Sequence, residues 1–363
     1  MTKLPAILTI IFTAPTALLL APLAALHAAD PHVLPPGTPN RAAWMAQGTY
    51  GVMTHYLPKP KGNTREEKTA DLNRMVDQFD LDYFIRQFQQ TGADWLIFTV
   101  TQSNGVLNSP NPRLDPKAAI LVPRRDIVQE IAQRLETMNK RLILYLPSIQ
   151  RDRTLIQQLN LPAPYTAAYR QFVRAYSEKF ARHHHGWWFD SCAALPDEQW
   201  KDWLAACRAG NPEAVVAFSG AEFCTGGPVD PRCKLEDYHA GEIHLLEDGR
   251  IRRDFLPPGG DIVVLPGGKL RKRGQEARFY MPDAALIDGV QWHGLLPIDL
   301  TFNPAIPNQF CHYTDKELFE FVRRIKAVGG AITINVPINI GNGHIPEDSH
   351  SQLMRLSRAL FSK

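Results

Sequence analysis

Gly186-Trp187-Trp188-Phe189-Asp190 is a short apolar run that ends in a carboxylate, and no helical pattern resumes until Asp197. An apolar strand that delivers an acid to the loop after it is the habit of a parallel α/β barrel, where catalytic groups sit at the C-terminal strand ends. The next strand-like run, Ala214 to Ser219, is followed by Gly220, Ala221 and a second acid, Glu222. Two carboxylates at the ends of consecutive strands are the minimum equipment for glycoside hydrolysis.

Strand-like and helix-like segments alternate on both sides of this stretch. Tyr50 to Tyr56 reads as a strand. Leu81, Phe84, Ile85 and Phe88 recur at helical spacing, and Gly92 ends that helix. Trp95 to Thr101 is the second strand and Arg141 to Pro147 the third; Ile127, Val128, Ile131, Leu135 and Met138 mark the helix between them. Tyr169, Phe172, Val173, Tyr176 and Phe180 mark the helix before Gly186, and a short helix over 197–209 precedes the strand at Ala214. The repeat is roughly 45 residues per unit, long for a barrel unless its loops carry insertions. The strands are nearly continuous apolar runs, as in a parallel sheet covered by helices. An open doubly wound sheet competes, but no Gly-rich phosphate loop follows the first strand.

The expected fold is therefore α/β, a (β/α)8 TIM-type barrel with long loops in its second half. Those loops fall in Cys224 to Gly289, where Ile262 to Leu265 reads as an isolated strand or half of a hairpin. Regularity returns with a strand over Gly289 to Leu296 and a helix over 315–327 that Gly329-Gly330 stops. A buried strand over Ala331 to Val336 and a last helix begun by Pro346 complete the pattern.

The 363 residues are 44% hydrophobic and 21% charged, with a formal net charge of +3. This is a globular composition and gives no electrostatic argument for a nucleic-acid partner. Arg250, Arg252, Arg253 and the run 269–273 form one basic region, read as a solvated loop face. Residues 1–29 read as a signal peptide: Lys3, then uncharged Leu4 to Leu26, then Ala28 and Ala29 before Asp30. Pro5, Pro15 and Pro22 argue against a stable spanning helix. The expectation is a secreted or periplasmic protein with its barrel in 30–363 and no membrane span after cleavage. Of the five cysteines, Cys192, Cys207, Cys224, Cys233 and Cys311, the pair Cys224 and Cys233 shares one loop and can bridge. No Cys/His spacing suggests zinc, and no cofactor is implied.

Read in order, the strand ends supply His55 and Tyr56, Thr101 to Asn104, Tyr145 and Ser148, Asp190, Glu222, Trp292 and His293, and Asn335. A sugar needs such a mixture, because its hydroxyls want hydrogen bonds and its C–H face wants an aromatic surface. Asp190, shielded by Trp187, Trp188 and Phe189, is the sharpest candidate for a nucleophile. Glu222 is the candidate general acid, since flanking Ala221 and Phe223 give the apolar setting that raises a carboxyl pKa. Glu242, after Gly241, is the rival. Arg182-His183-His184-His185 invites a metal reading, but adjacent residues do not face one point, and a helix C-terminus favours positive character.

Several segments together resemble the catalytic barrel of the α-L-fucosidases, family 29 of the glycoside hydrolases. Tyr50-Gly-Val-Met-Thr-His55-Tyr56 is similar to that family's Phe-Gly-Ile-Phe-Ile-His-Trp strand. Trp95-Leu-Ile-Phe-Thr-Val-Thr-Gln-Ser-Asn-Gly105 sits where the family has an apolar strand followed by Lys-His-His-Asp-Gly. Arg125-Asp126-Ile127-Val128 matches Arg-Asp-Ile-Val, and Trp188-Phe189-Asp190 matches Trp-Phe-Asp, whose aspartate is the family nucleophile. Ile332 to Glu347 resembles the family's Leu-Leu-Leu-Asn-Ile-Gly-Pro segment and its closing Ile-Pro-Glu.

The resemblance implies a retaining exo-glycosidase with Asp190 and Glu222 as its catalytic pair, about 5–5.5 Å apart. Gly220-Ala221-Glu222 is similar to one branch's Gly-Asn-Glu; in the other branch the acid lies elsewhere, which keeps Glu242 in play. His55, Gln102 and Asn104 are expected to read hydroxyls, and Tyr145, Trp188 and Trp292 to pack on the sugar, with His293 and Glu242 also lining the site. Gln102 and Ser103 replace the family's paired histidines, and Asn104 its aspartate, so the sugar differs from unmodified fucose or is held differently. The expected partner is an oligosaccharide or polysaccharide. The alternatives are a non-catalytic carbohydrate-binding barrel and a glycosidase for another α-linked or sulfated sugar.

Overall fold

Seven buried apolar segments run parallel in one sheet. They are β1 (Gly51–Thr54), β2 (Trp95–Thr99), β3 (Arg141–Pro147), β4 (Gly186–Asp190), β5 (Val215–Phe218), β10 (His293–Pro297) and β11 (Ala331–Val336). Their order is β10-β11-β1-β2-β3-β4-β5. In this computed structural model the described residues are 40–102, 104–149, 152–192, 195–219, 235–242, 262–264, 270–272, 284–287, 289–298 and 313–362. Helices intervene along the chain: α1 (Ala43–Gln47) before β1, α2 (Arg65–Asp77) and α3 (Leu81–Gln90) before β2, and α4 (Ile127–Thr137) before β3. Then come α5 (Arg153–Leu159) and α6 (Tyr165–Phe180) before β4, α7 (Asp197–Cys207) before β5, α8 (Asp315–Ala327) before β11 and α9 (Glu347–Phe361) after it. Parallel strands joined through helices make an α/β, barrel-like sheet.

Alternation along each strand divides the core in two. Outward residues such as Leu96, Phe98, Leu144, Trp187, Phe189 and Phe218 pack against helix residues including Phe84, Ile131, Phe172, Trp203 and Val322. Inward residues, Met53, Trp95, Ile97, Ile143, Tyr145, Trp188, Val215, Ala217, Leu295 and Ala331 among them, form a second cluster. Ala42 and Met45 belong to that inner cluster, so α1 covers the end where the strands begin. There Trp44 stands edge-on to Trp95 at 5.6 Å, with the Arg141 guanidinium 4.5 Å above its ring.

Side-chain caps set the helix starts. Thr64 and Thr314 each form a capping box, with Glu67 and Glu317 respectively, and Asp80, Asp126 and Asp152 accept from the amides of Tyr83, Gln129 and Leu155. Each such cap contributes about 1 kcal/mol. The Arg125-Asp126 pair is structural. Arg125 forks onto Glu130 and donates to the Val76 and Phe79 carbonyls at the end of α2, both at 2.9 Å. Asp126 accepts from Lys179 Nζ at 2.6 Å.

Among the described residues the ladder has seven strands, and an eighth is not shown; the segment Leu235–Glu242, between β5 and β10 in the chain, forms isolated parallel bridges from Tyr238 to Gln291 and from Glu242 to Leu295 in β10. The expected strand over Gly289 to Leu296 is broken: β9 (Val290–Gln291) folds back on β8 (Leu286–Ile287), and β10 begins only at His293. Of the stretch Ile262 to Leu265, Ile262–Val264 forms β6, which pairs antiparallel with β7 (Leu270–Lys272), the hairpin of the two readings; Leu265 lies outside the described residues. Cys192 and Cys207 are buried; the other three cysteines and the apolar leader lie outside the described residues. Among the described residues no helix is long and apolar enough to cross a membrane.

Candidate active site

β4 carries Asp190 to the C-terminal end of the sheet, and Ser191, at φ 56°, turns the chain sharply after it. A left-handed residue without glycine costs about 1 kcal/mol or more, so the turn is held by its surroundings. Ser148 N–H donates to the Asp190 carbonyl at 2.6 Å and Cys192 N–H to the Ser219 carbonyl at 2.7 Å. The two carboxylate oxygens have different partners: Tyr145 donates its hydroxyl to Oδ2 at 2.6 Å, and Ser191 Oγ donates to Oδ1 at 3.3 Å.

Burial pushes the Asp190 carboxyl up to about 6, and the negative charge of Glu242 adds to the rise, while the bonds from Tyr145 and Ser191 oppose it. Burial and the Asp190 charge hold the Tyr145 phenol well above its ordinary range, so it stays a donor. His55, directly after β1, meets the Tyr145 ring edge-on at 5.1 Å, and burial brings its imidazole down to about 4. It is neutral at physiological pH.

Glu242 reaches the same end of the sheet from the far edge. Gly241, at φ 68°, lies so close to β10 that an added Cβ would stand 1.9 Å from the His293 carbonyl oxygen. Glu242 Oε2 accepts from Ser219 Oγ at 2.5 Å. Ser219 N–H in turn donates to the Phe189 carbonyl at 2.7 Å, one residue before Asp190. The Tyr145–Asp190 and Ser219–Glu242 pairs are therefore joined through the backbone on either side of Asp190, at Phe189 and Cys192. Ser219 and Ser191 were not among the expected site residues; their signal is small, a hydroxyl directly after an apolar run.

Several expected contacts fall elsewhere. Trp188 is buried one inward position below Asp190, stacks on Tyr145 at 5.2 Å and donates Nε1 to the Ala240 carbonyl at 3.2 Å. It is a support beneath the acid, not an open platform. Asn104 spends its amide on the Pro58 carbonyl at 3.0 Å and so ties the loop after β2 to the stretch after β1. Gln102 is half-buried after β2, Ser103 and Glu222 lie outside the described residues, and Asn335 is buried on β11 beside β1.

Trp292 and His293 stand at the start of β10, opposite the strand ends that carry Asp190. Trp292 packs on Gly330 in the outer core. His293 Nδ1 donates to the His239 carbonyl at 2.9 Å, and Nε2 accepts from Thr333 Oγ1 at 2.8 Å, which itself accepts Trp95 Nε1 at 2.8 Å. Burial pushes His293 down to about 3. Both residues belong to the foot of the sheet. The 182–185 run is also structural: His183 faces Glu136, His184 Nδ1 donates to the Ala181 carbonyl, and His185 Nδ1 accepts from Leu142 N–H. Among the described residues no group of three or more His, Cys, Asp or Glu converges on one point.

The arrangement can supply an ionisable carboxyl near neutrality, a fixed phenolic donor beside it, and a second carboxylate whose charge it feels. Pairs of acids with separated protonation are what acid–base and nucleophilic catalysis use.

No protein-family model matches the chain, and no curated protein matches it. Solved structures do. An endo-fucoidan hydrolase, P5AFcnA from glycoside hydrolase family 107, is 18% identical with a TM-score of 0.60, over 90% of this chain and 94% of that one. Alpha-L-fucosidase isoenzyme 1 from Paenibacillus thiaminolyticus is 14% identical with a TM-score of 0.58, over 88% of this chain and 75% of that one. The alpha-L-fucosidase AlfC from Lactobacillus casei is 13% identical with a TM-score of 0.55, over 88% and 97%. At such identities the likeness is one of fold: this chain has the architecture found in glycoside hydrolases of two families.

Proposed function

We propose that the protein is a retaining glycoside hydrolase acting on α-L-fucosides or on a related deoxy or substituted sugar. The carrying observation is the Tyr145–Asp190 hydrogen bond, 2.6 Å long, on a buried carboxyl that also feels Glu242. The fucose-acting enzymes among its fold neighbours support the substrate class. Asp190 attacks the anomeric carbon as the leaving oxygen takes a proton from the acid, giving a glycosyl-enzyme; the same acid, now a base, then activates water. Tyr145 holds one carboxylate oxygen so that the other faces the substrate. His55, neutral, accepts or donates one bond to a hydroxyl.

Two residues compete for the acid/base role. Glu242 is supported by its effect on Asp190 and by the Ser219 bond, and Glu222 by its place after β5 in the sequence. Glu→Gln at each separates them. The acid/base variant retains turnover of substrates with good leaving groups and loses it on poor ones, since a phenolate of low pKa departs without a proton.

A panel of nitrophenyl glycosides that includes the α-L-fucoside tests the whole reading. Turnover is expected for the natural chain, loss for Asp190→Gly, and partial return with azide, whose small anion replaces the missing carboxylate. Sugar binding without turnover of any panel member would instead identify a lectin-like barrel. Residues 1–29 are proposed to direct export; N-terminal sequencing of the mature protein is expected to begin at Asp30.

A further inference from the structure

Asp237 joins two strand systems, β5 and β9, that no ladder connects among the described residues. β5 sends the N–H groups of Val215 and Ser219 to β4, onto the carbonyls of His185 at 2.9 Å and Phe189 at 2.7 Å. The N–H groups of Val216 and Phe218 must then point the other way. Carboxylates receive them: Asp237 Oδ2 takes Val216 N–H at 2.8 Å, and Glu236 Oε2 takes Phe218 N–H at 3.2 Å. Asp237 also donates its own N–H to the Val216 carbonyl at 3.0 Å and accepts Gln291 N–H on its carbonyl at 3.2 Å. One residue thus spans from β5 to β9.

Cations fix this carboxylate. Arg208, at the end of α7, donates to Asp237 Oδ2 at 2.6 Å and to the Ala214 carbonyl at 3.2 Å. Arg41 stands 3.8 Å from Oδ1 and donates to the Pro212 carbonyl. The Asp237 side chain is only 6% exposed. Desolvating such a pair is costly, and burial of itself adds no net stability over an apolar seam. What it adds is register. A slip of two residues keeps the same side chains facing inward, so alternation alone does not forbid it. A carboxylate that must meet both Val216 N–H and Arg208 does.

The segment held in this way continues to Glu242, beside β10, whose carboxylate accepts from Ser219 Oγ at 2.5 Å, and Ser219 N–H bonds the Phe189 carbonyl next to Asp190. We propose that Asp237, together with Arg208, is a positioning residue for Glu242: the ion pair sets the height of the segment against β5 and hence where the Glu242 carboxylate stands relative to Asp190. The proposal rests on the hydrolase reading for its consequence in catalysis, and on geometry alone for its consequence at Asp190.

Asp237→Asn tests it, with turnover of an alkyl fucoside, whose poor leaving group needs the acid, and the titration of Asp190 by carboxyl carbon NMR as separate readouts. The variant is expected to lose about tenfold or more in kcat with KM within about twofold, as a misplaced catalytic group does. Its Asp190 midpoint is expected to move from the wild-type value. Arg208→Gln reproduces both effects and Arg208→Lys, which keeps the ion pair, restores them; these two variants carry the test if Asp237→Asn does not fold. A folded Asp237→Asn or Arg208→Gln protein with unchanged kcat and unchanged Asp190 midpoint overturns the proposal. A natural chain that turns over no glycoside, while its Asp190 midpoint still responds to Arg208→Gln, overturns the hydrolase reading and leaves the positioning role standing.

Discussion

The Tyr145 hydroxyl donates to Asp190 Oδ2 although the two residues are not partners in the β3–β4 ladder; Tyr145 is paired with Trp188, and Pro147 with Asp190. The phenol reaches up one inward layer, with its ring stacked on the indole beneath at 5.2 Å. The length of a tyrosine is what lets a buried ring deliver a donor to the acid at the strand end.

Tyr145→Phe keeps the ring stack and removes only the donor. A hydrogen bond to a charged group contributes about 1.5–3 kcal/mol, which corresponds to about 1 pH unit or more in the carboxyl's midpoint. The bond lowers the Asp190 pKa, so its loss raises that value further above about 6. The acid limb of the kcat/KM profile is expected to move upward by about 1 pH unit, with the thermal midpoint little changed. An unmoved limb would show that the phenol does not stabilise the ionised form.

Asp190→Asn is expected to stabilise the protein while abolishing turnover. The native carboxyl, at about 6, lies above its ordinary 3.8. Between those values the native state binds more protons than the unfolded state, so stability falls as pH rises through this window and the penalty is complete above it. The neutral amide escapes a penalty of about 2–3 kcal/mol. Thermal melts should show a higher midpoint for the variant at pH 8 and no gain at pH 4. Equal midpoints at pH 8 would contradict a raised carboxyl.

The sequence shows some of this and hides the rest for physical reasons. β4 was readable because an apolar run ending in Asp has no helical alternative, and α3, α4 and α6 because their buried faces are apolar at helical spacing. α2 left no such stripe: only Leu72 and Val76 are buried, and its start depends on the Thr64 capping box. Trp292 and His293 are misplaced by the sequence because Gly289 to Leu296 reads as one mostly apolar run, interrupted only by Gln291 and His293, and periodicity does not mark where a hairpin ends and the sheet begins. Trp188 was misread by one layer: it shares the inward face with Asp190 but lies two residues, about 6–7 Å, deeper. The contact between Glu242 and Ser219 joins residues from separate segments, and no local pattern encodes it.

His293→Leu should cost stability and spare substrate affinity. It removes the donor to the His239 carbonyl and the acceptor of the Thr333 hydroxyl, a loss of about 2 kcal/mol or more. His293 is neutral when folded, at about 3, and takes a proton at about its ordinary 6.5 when unfolded. The unfolded state therefore binds more protons between those values, and the stability held above 6.5 is lost as pH falls toward 3. Urea midpoints should be lower for the variant at pH 7 and should fall less steeply with acid, with KM unchanged because the residue lies at the opposite end of β10. A raised KM with an unaltered urea midpoint would return His293 to the site.

Gly241→Ala is the smallest change that should displace Glu242. Two constraints act on this position: its φ of 68° disfavours a side chain, and the new Cβ would sit 1.9 Å from the His293 carbonyl oxygen. That oxygen belongs to β10, so relief must come from the segment carrying Glu242, which would lose the bridge to Leu295 and the bond from Ser219. The expected cost is about 3 kcal/mol or more. If Glu242 is the acid, Gly241→Ala and Glu242→Gln should lose activity in the same way, strongly on substrates with poor leaving groups and weakly on activated ones. If Glu222 is the acid, Gly241→Ala should lower stability without that dependence on the leaving group. A leaving-group series measured on both variants, beside a urea melt of each, distinguishes the two.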